Sequence, residues 1–375
     1  MVVVSSSFAK EWEDSIVVNP PEEDRRATGL TEPTVTEIAR KHQEKIWSGE
    51  HRRPLSLSQR CGRTQKLTMY REQPHALPNT FIHIALQAPV SRIGYPRVEL
   101  PWVLIGILIP DIPWIVQRLA IMASIGDPFQ IRLYCTLQAS LFFSLLLALA
   151  LASFARKHLP VFFVLAASSL LHLLLDALQI KWGNGVHFLI PLSFESTHLG
   201  LVWPEHPLGY IATLAGILYL LFMLRTMVGE GISLRKRPFW PWLVPGLASY
   251  LLLPLLFMAP LEHSNSNFLE TVNTPSLRQG RPIEIDRSFY NAEERTVSLF
   301  TGESIAVEGV LPKKSAVVSL KGKFTTPHLI HSHTIHIHQK AYRDYASIAG
   351  IAVTAGIWLY LLCSSSGIFN PRKYS

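Results

Sequence analysis

Apolar runs of about 18 or more residues recur along this chain, and a helix of this length can cross a bilayer. A soluble core rarely needs helices that are both so long and so apolar. The composition agrees, because 48% of the 375 residues are hydrophobic and only 17% are charged. The sequence therefore predicts an integral, multi-pass membrane protein whose first partner is the lipid bilayer. Basic loops that orient helices explain the net charge of +8, so no nucleic-acid partner is expected.

The apolar runs predict a mainly α fold, a polytopic bundle of about six spanning helices. A shorter run from Asn79 to near Ile93 is too short to span, which favours a re-entrant or tilted helix. Pro110 interrupts the following run, and proline at membrane depth is tolerated where backbone is buried or lines a cavity. The six predicted spans are 99–123, 133–154, 160–179, 208–228, 238–260 and 346–364.

Two regions differ from the apolar runs. Residues 1–78 are polar, so we expect a largely disordered tail with one short helix over Thr36–Trp47. Whether residues 1–68 belong to the natural chain is left open, because Met69 offers an alternative start. Five short runs of β-branched alternation within 278–340 predict a small barrel or sandwich, with an OB-type barrel as one option. The predicted domains are the tail 1–78, the bundle 79–260, the β domain 278–340 and the C-terminal helix 346–364.

Basic loops predict how the chain is oriented in a cell membrane or inner membrane. Arg156-Lys157, Arg235-Lys236-Arg237 and Arg372-Lys373 fall on one side if each intervening segment spans once. The positive-inside rule makes that side the cytoplasm. The loop at 181–207 and the β domain then face outward. The oligomeric state is left open.

One predicted span carries two ionisable side chains, His172 and Asp176, four residues apart. This spacing puts both on one helix face, and each costs about 2.5–3.5 kcal/mol to insert in hydrocarbon. Together they can bind one metal ion, or they can form a buried hydrogen bond that holds two helices together. His83 and Asp111 reach the same end of the bundle if the helices alternate in direction. Two histidines and two aspartates are a first shell for a divalent ion, with zinc expected first and an open position for water; alternatively, they are scattered packing residues.

The order of these residues resembles the YdjM-type family of membrane-bound metal-dependent hydrolases. The likeness consists of His83, the run Leu108-Ile109-Pro110-Asp111, the run from His172 to Leu178, and the run from Gly185 to Ser193. It covers about 79–228, under half of the chain. The resemblance implies an inner-membrane hydrolase in which the two histidines and two aspartates bind a metal, and it leaves the substrate open.

Two positions depart from the pattern of that family. Pro113 stands where the family has a second aspartate, and Gln138 stands where it has a histidine. An amide cannot replace an imidazole as a strong zinc ligand. A degenerate, non-catalytic member is therefore a second interpretation.

Further histidines and glutamates lie outside this group. In the loop after the key helix, Glu195 and His198 are weak candidates for a general base or an extra ligand, or they are solvated residues. A second set of histidines lies within the last predicted strand, where the sequence favours a polar face over a surface metal site. Catalysis by these histidines is not expected, because no carboxylate lies nearby in the sequence. That set is His328, His331, His333, His336 and His338.

Two functional classes follow from these patterns. The first is a membrane-embedded, metal-dependent hydrolase that acts on an ester or phosphoester, either a small molecule or a lipid-linked one, with metal-activated water. The second is a non-catalytic membrane protein whose helices scaffold the extracytosolic β domain. A transporter is disfavoured, because the chain has no evident pair of matching halves with broken helices.

Overall fold

A computed structural model describes residues 79–95, 99–230, 232–264, 266–338 and 342–365. The predictions for the tail 1–78, including the helix over Thr36–Trp47, lie outside the described residues.

The described part combines apolar helices with one small barrel. Five of its helical stretches are long and apolar enough to cross a membrane: Leu100–Met122, His158–Ala177, Pro207–Leu224, Trp240–Ser264 and Tyr345–Cys363. The helices in chain order are α1 Thr80–Gly94, α2 Leu100–Leu108, α3 Ile112–Met122, α4 Pro128–Gln138, α5 Leu141–Ala152, α6 His158–Ala177, α7 Pro207–Glu230, α8 Trp240–Leu252, α9 Pro254–Ser264, α10 Thr271–Asn273 and α11 Tyr342–Ser365. A 3-10 turn Ile109–Asp111 separates α2 from α3 at Pro110, so the predicted break is confirmed.

The prediction of one continuous helix over 133–154 is wrong, because two helices cover this stretch. Together they are still long and apolar enough to count as one bent span. Asp127 caps a helix that begins earlier, at Pro128, by accepting a hydrogen bond from Gln130 N at 3.0 Å. That helix ends at Gln138, because Ser140 adopts an extended backbone with ψ of 164°. Helices α4 and α5 consequently meet at a bend of 72°.

Small residues bring α2 and α6 close together. A Cβ on Gly106 would come within 2.6 Å of Ser168 Cβ, so only glycine fits this contact. Ser169 Oγ also donates to Gly106 O at 3.3 Å. This contact lies about one turn before both Asp111 and His172, so α2 and α6 run in the same direction there. They therefore deliver their polar residues to the same end of the bundle.

The β domain is a closed barrel of five strands in the order β1-β2-β3-β5-β4. Its strands are β1 Pro282–Asn291, β2 Thr296–Ser298, β3 Ser304–Gly309, β4 Ala316–Thr326 and β5 Leu329–Ile337. Neighbouring strands pair antiparallel except for β3 and β5, which are parallel. Buried apolar side chains such as Ile285, Leu320 and Ile330 fill its core. The barrel prediction is confirmed, and the alternative of a sandwich is wrong.

The barrel lies at one end of the helices, and the basic loops at 156–157 and 235–237 lie at the other, whereas the basic pair Arg372-Lys373 is outside the described residues. Gly183, just after α6, donates its N–H to Glu284 of β1 at 2.9 Å. At the opposite end of α6, Arg156 N donates to Ser233 O at 3.1 Å, which joins two of the basic segments. The bundle thus has a barrel end and a basic end.

The contact between α1 and α7 gives a direct test of this packing. A Cβ on Gly216 of α7 would overlap the Phe81 carbonyl of α1. Because backbone cannot move aside cheaply, we expect Gly216→Ala to lower the free energy of unfolding by about 1–3 kcal/mol. Gly356→Ala in α11 is the control, since nothing lies within 4 Å of its added Cβ. Thermal unfolding in detergent compares the two variants, and equal stability would contradict the close approach of α1 and α7.

Candidate metal centre

The structure brings His83, Asp111, His172 and Asp176 together in the buried barrel end of the bundle. His172 Nε2 lies 3.4 Å from Asp111 Oδ1 and 3.8 Å from Asp176 Oδ2. His83 Nε2 lies 3.7 Å from Asp176 Oδ1. The i,i+4 pair is thus too far apart for the direct hydrogen bond that was one alternative.

The two imidazoles are held in parallel, with ring centroids 3.9 Å apart and planes 5° from parallel. The Gln87 amide satisfies its neighbours when its oxygen accepts from His83 Nδ1 at 3.0 Å and from His172 N at 3.2 Å. Its nitrogen then donates to Ser168 O at 2.9 Å. With the proton on Nδ1, His83 presents the lone pair of Nε2 towards Asp176. Fixing a tautomer in this way is the usual work of the residues that surround metal ligands.

The surroundings of His172 indicate whether a cation can bind here. Both of its ring nitrogens are buried, and neither makes a hydrogen bond to any residue that the structure describes. Leaving such a group unsatisfied costs about 1–3 kcal/mol. Ligand atoms around a tetrahedral zinc ion stand about 3.4 Å apart, given bonds of about 2.0–2.2 Å. The separations of 3.4, 3.7 and 3.8 Å lie at or slightly above that value. One ligand atom each of His83, His172 and Asp176 lies within 4.8 Å of the others, so by distance these three side chains can hold a divalent cation. Asp111 adjoins them through His172.

Lys181 is a member of this site that the sequence analysis missed. Its Nζ lies 2.9 Å from Asp176 Oδ2, and Gln179 Nε2 donates to Asp176 Oδ1 at 3.2 Å. The ammonium group reduces the charge that Asp111 and Asp176 present from −2 to −1. Its position five residues after Asp176 is the only local signal, and it is weak because loop lysines are usually solvated.

A cavity of about 130 Å³ lies above the cluster. Asp111, His172 and Asp176 form part of its lining on the bundle side. On the barrel side, β1 contributes Asp286 and Arg287 at a bulge, where the register shifts between Ile285 and Ser288. Arg287 has a φ of 47°, which re-aims the strand at this point. The cavity therefore lies between the bundle and the barrel.

The remaining candidates from the sequence lie elsewhere. Glu195 and His198 are exposed on the loop and do not belong to the described cavity lining. Gln138 donates to Tyr250 O at 3.1 Å, so it joins α4 to α8 instead of facing the cluster. His187, which was not singled out as a ligand, does line the cavity, and its Nδ1 bonds Phe194 O at 3.0 Å.

A second cluster corrects the interpretation of the late histidines as a plain polar face. His338 is only 8% exposed, and His336 is half-buried. Glu205, from the loop before α7, reaches both of them. Burial opposes ionisation of Glu205, but the two histidines and Arg287 outweigh it and hold its pKa below the usual range. The carboxylate that seemed missing near these histidines thus comes from a distant part of the sequence.

Comparisons with family models, with curated proteins and with solved structures found no match to this chain. The resemblance to the YdjM-type family therefore stays a prediction.

His187 makes stability depend on pH. Burial lowers its pKa to about 4, although its hydrogen bond to the Phe194 carbonyl opposes the shift. The pKa of a histidine in an unfolded chain is about 6.5. The folded protein therefore favours neutral His187, and this contribution to the free energy of unfolding is fully present above about pH 6.5. As the pH falls towards 4, up to about 3 kcal/mol of it is lost. His187→Gln keeps a donor for Phe194 O but cannot titrate, so its unfolding free energy should fall less between pH 7 and pH 4.5. Parallel pH profiles for the two proteins would contradict this assignment.

Proposed function

We propose that this protein is an integral membrane protein that binds a divalent ion, zinc in the first instance, and hydrolyses an ester or phosphoester. His83, Asp111, His172 and Asp176 would hold the ion. The observation that carries the proposal is the convergence of His83, His172 and Asp176, with Asp111 against His172, at the edge of a cavity. His172 itself makes no hydrogen bond to the described residues. The same four residues carry the resemblance to the hydrolase family.

Membrane insertion is supported by the outer faces of the helices. On α7, large apolar side chains point away from the bundle, with Leu218 58% and Phe222 66% exposed. Such a surface is stable in hydrocarbon but not in water. The separate barrel and basic ends support the predicted orientation, in which the barrel faces outward and the basic loops face the cytoplasm.

Each residue of the site has a part in this proposal. A bound divalent ion supplies a water of lowered pKa and polarises a carbonyl or phosphoryl oxygen. Gln87 orients His83, and Lys181 pairs with Asp176, so both ligands would keep their positions when a substrate enters the cavity. The barrel covers one side of the cavity, and a site shielded from water in this way strengthens the electrostatic interactions inside it.

The cavity lining favours an anionic substrate. Arg118, Arg132 and Arg287 all line it. Arg132 also packs over the Phe300 ring, with its guanidinium carbon 4.4 Å from the ring centroid, which holds the charge in place. Guanidinium groups match phosphate oxygens in geometry and charge. A phosphoester therefore suits this site better than a neutral ester, and its position at one end of the bundle suits a substrate carried by a lipid.

The second candidate function is a non-catalytic membrane scaffold for the barrel. The ion pair between Lys181 and Asp176 favours it, because that pair neutralises part of the cluster without a metal. The strand order of the barrel suits the OB type, a fold that binds ligands on its surface in many proteins. A scaffold would lose stability, but no chemistry, when His172 is changed.

Metal content tests the first candidate. We expect His172→Ala and Asp176→Ala, purified in detergent and dialysed against zinc, to hold one zinc ion fewer per chain than the unaltered protein. Each variant removes a ligand from a site with few alternatives. His328→Ala is the control, since that side chain is 67% exposed on the barrel. Elemental analysis gives the stoichiometry, and equal zinc in all four proteins would end the hydrolase proposal.

Substrate charge gives a second, kinetic test. With zinc present we expect turnover of bis(p-nitrophenyl) phosphate to exceed that of p-nitrophenyl acetate. Arg132→Gln should raise KM for the phosphodiester by about tenfold, the effect of roughly 1.4 kcal/mol of lost charge-assisted bonding. KM for the neutral ester should stay unchanged. A zinc-loaded protein that hydrolyses neither compound would favour the scaffold.

A further inference from the structure

Three metal-binding side chains outside the cavity come together from distant parts of the chain. Glu205 lies near the end of the loop between α6 and α7, His336 is the penultimate residue of β5, and His338 follows that strand directly. One ligand atom from each lies within 4.8 Å of the others. Two imidazoles and one carboxylate are the protein ligands of many zinc sites that keep a fourth position open.

Hydrogen bonding around His338 leaves a lone pair facing Glu205. Ser319 Oγ lies 2.8 Å from Asp286 Oδ1 and 2.7 Å from His338 Nε2. A hydroxyl has one proton, and when Ser319 gives it to the Asp286 carboxylate, it must accept from His338 Nε2–H. His338 Nδ1 then points a lone pair at Glu205 Oε1 from 2.9 Å. Two lone pairs at this distance need a proton or a metal cation between them.

A proton on His338 alone does not satisfy the rest of the cluster. Glu205 Oε2 and His336 Nε2 are also buried, and neither makes a hydrogen bond to any residue in the described part of the chain. They face each other at 3.8 Å, too far for a hydrogen bond and close to the separation of about 3.4 Å between ligands of one zinc ion. One cation between the three side chains would satisfy all of these atoms at once.

The surroundings favour a cation and hold the rings in place. Glu205 and Asp286 carry two negative charges and Arg287, which donates to Glu205 Oε1, carries one positive charge, so the net charge near neutral pH is −1. Trp203 stacks on His336 with centroids 3.6 Å apart and planes 5° from parallel. The His336 side chain is 22% exposed, which gives an ion access from solvent.

We propose that Glu205, His336 and His338 form a second divalent-cation site, suited to zinc, that fastens the loop before α7 to the barrel. Because Glu205 also binds Arg287, the ion holds that arginine in the wall of the central cavity. The site shares no ligand with the bundle cluster. It therefore stands independently of the proposed hydrolase.

Zinc titration of the full chain in detergent tests this site. The protein is stripped with EDTA and titrated against a chromophoric zinc chelator, and the same is done for His336→Gln, Glu205→Gln and His172→Ala. His336→Gln is the primary variant, because His336 Nε2 makes no hydrogen bond to described residues and its loss should leave the fold intact. His333→Gln is the matched control, an exposed histidine on the same strand. Circular dichroism and gel filtration confirm that each variant is folded.

Two zinc ions are expected for the unaltered protein and for His333→Gln. His336→Gln and Glu205→Gln should lose one of them through a drop in affinity of roughly 100-fold or more, since even outer-shell partners are worth about 10–100-fold. In His172→Ala the remaining ion should still raise Tm, and adding His336→Gln should abolish that rise.

The proposal is overturned if His336→Gln binds as many ions as tightly as the unaltered protein, or if His333→Gln loses the same ion. Loss of an ion in His172→Ala alone would overturn this site and leave the proposed hydrolase standing, whereas loss in His336→Gln alone would do the reverse.

Discussion

The apolar bundle can bury ionisable side chains only where they are gathered beside polar or charged partners, and the rest of the structure follows from this constraint. An isolated buried charge costs far more than a protein of this size can tolerate, so such groups gather where partners are available. Here the close contact between Gly106 and Ser168 aligns α2 with α6, and α1 completes the group. His83, Asp111, His172 and Asp176 meet as a consequence, with Lys181 and Gln87 around them.

The barrel is part of this arrangement and not an independent module on a stalk. Its first strand carries a bulge that turns Asp286 and Arg287 towards the bundle, and both residues line the central cavity. The same arginine binds Glu205 in the second cluster. The guanidinium group of Arg287 therefore links the loop before α7 to the central cavity. This connection gives the scaffold and hydrolase interpretations a common structural element.

Local signals were sufficient for much of the fold and for the core of the bundle site. Proline chemistry located the break at Pro110, and β-branched alternation located all five strands. The spacing of His172 and Asp176 placed both on one helix face. The bend after Gln138 was missed, because a run of apolar residues does not reveal where a short polar stretch turns the backbone.

By itself, the sequence determined the membrane-length helices and the five strands, because each depends on a pattern within a few positions. It also determined the four central polar residues, because ionisable side chains stand out within apolar runs. Only the tertiary structure decided which distant groups meet: Lys181 with Asp176, and Glu205 with His336 and His338. The last pairing spans more than a hundred residues, and no local pattern encodes it. It exists because the loop before α7 and the end of β5 are packed together by the docking of the barrel on the bundle.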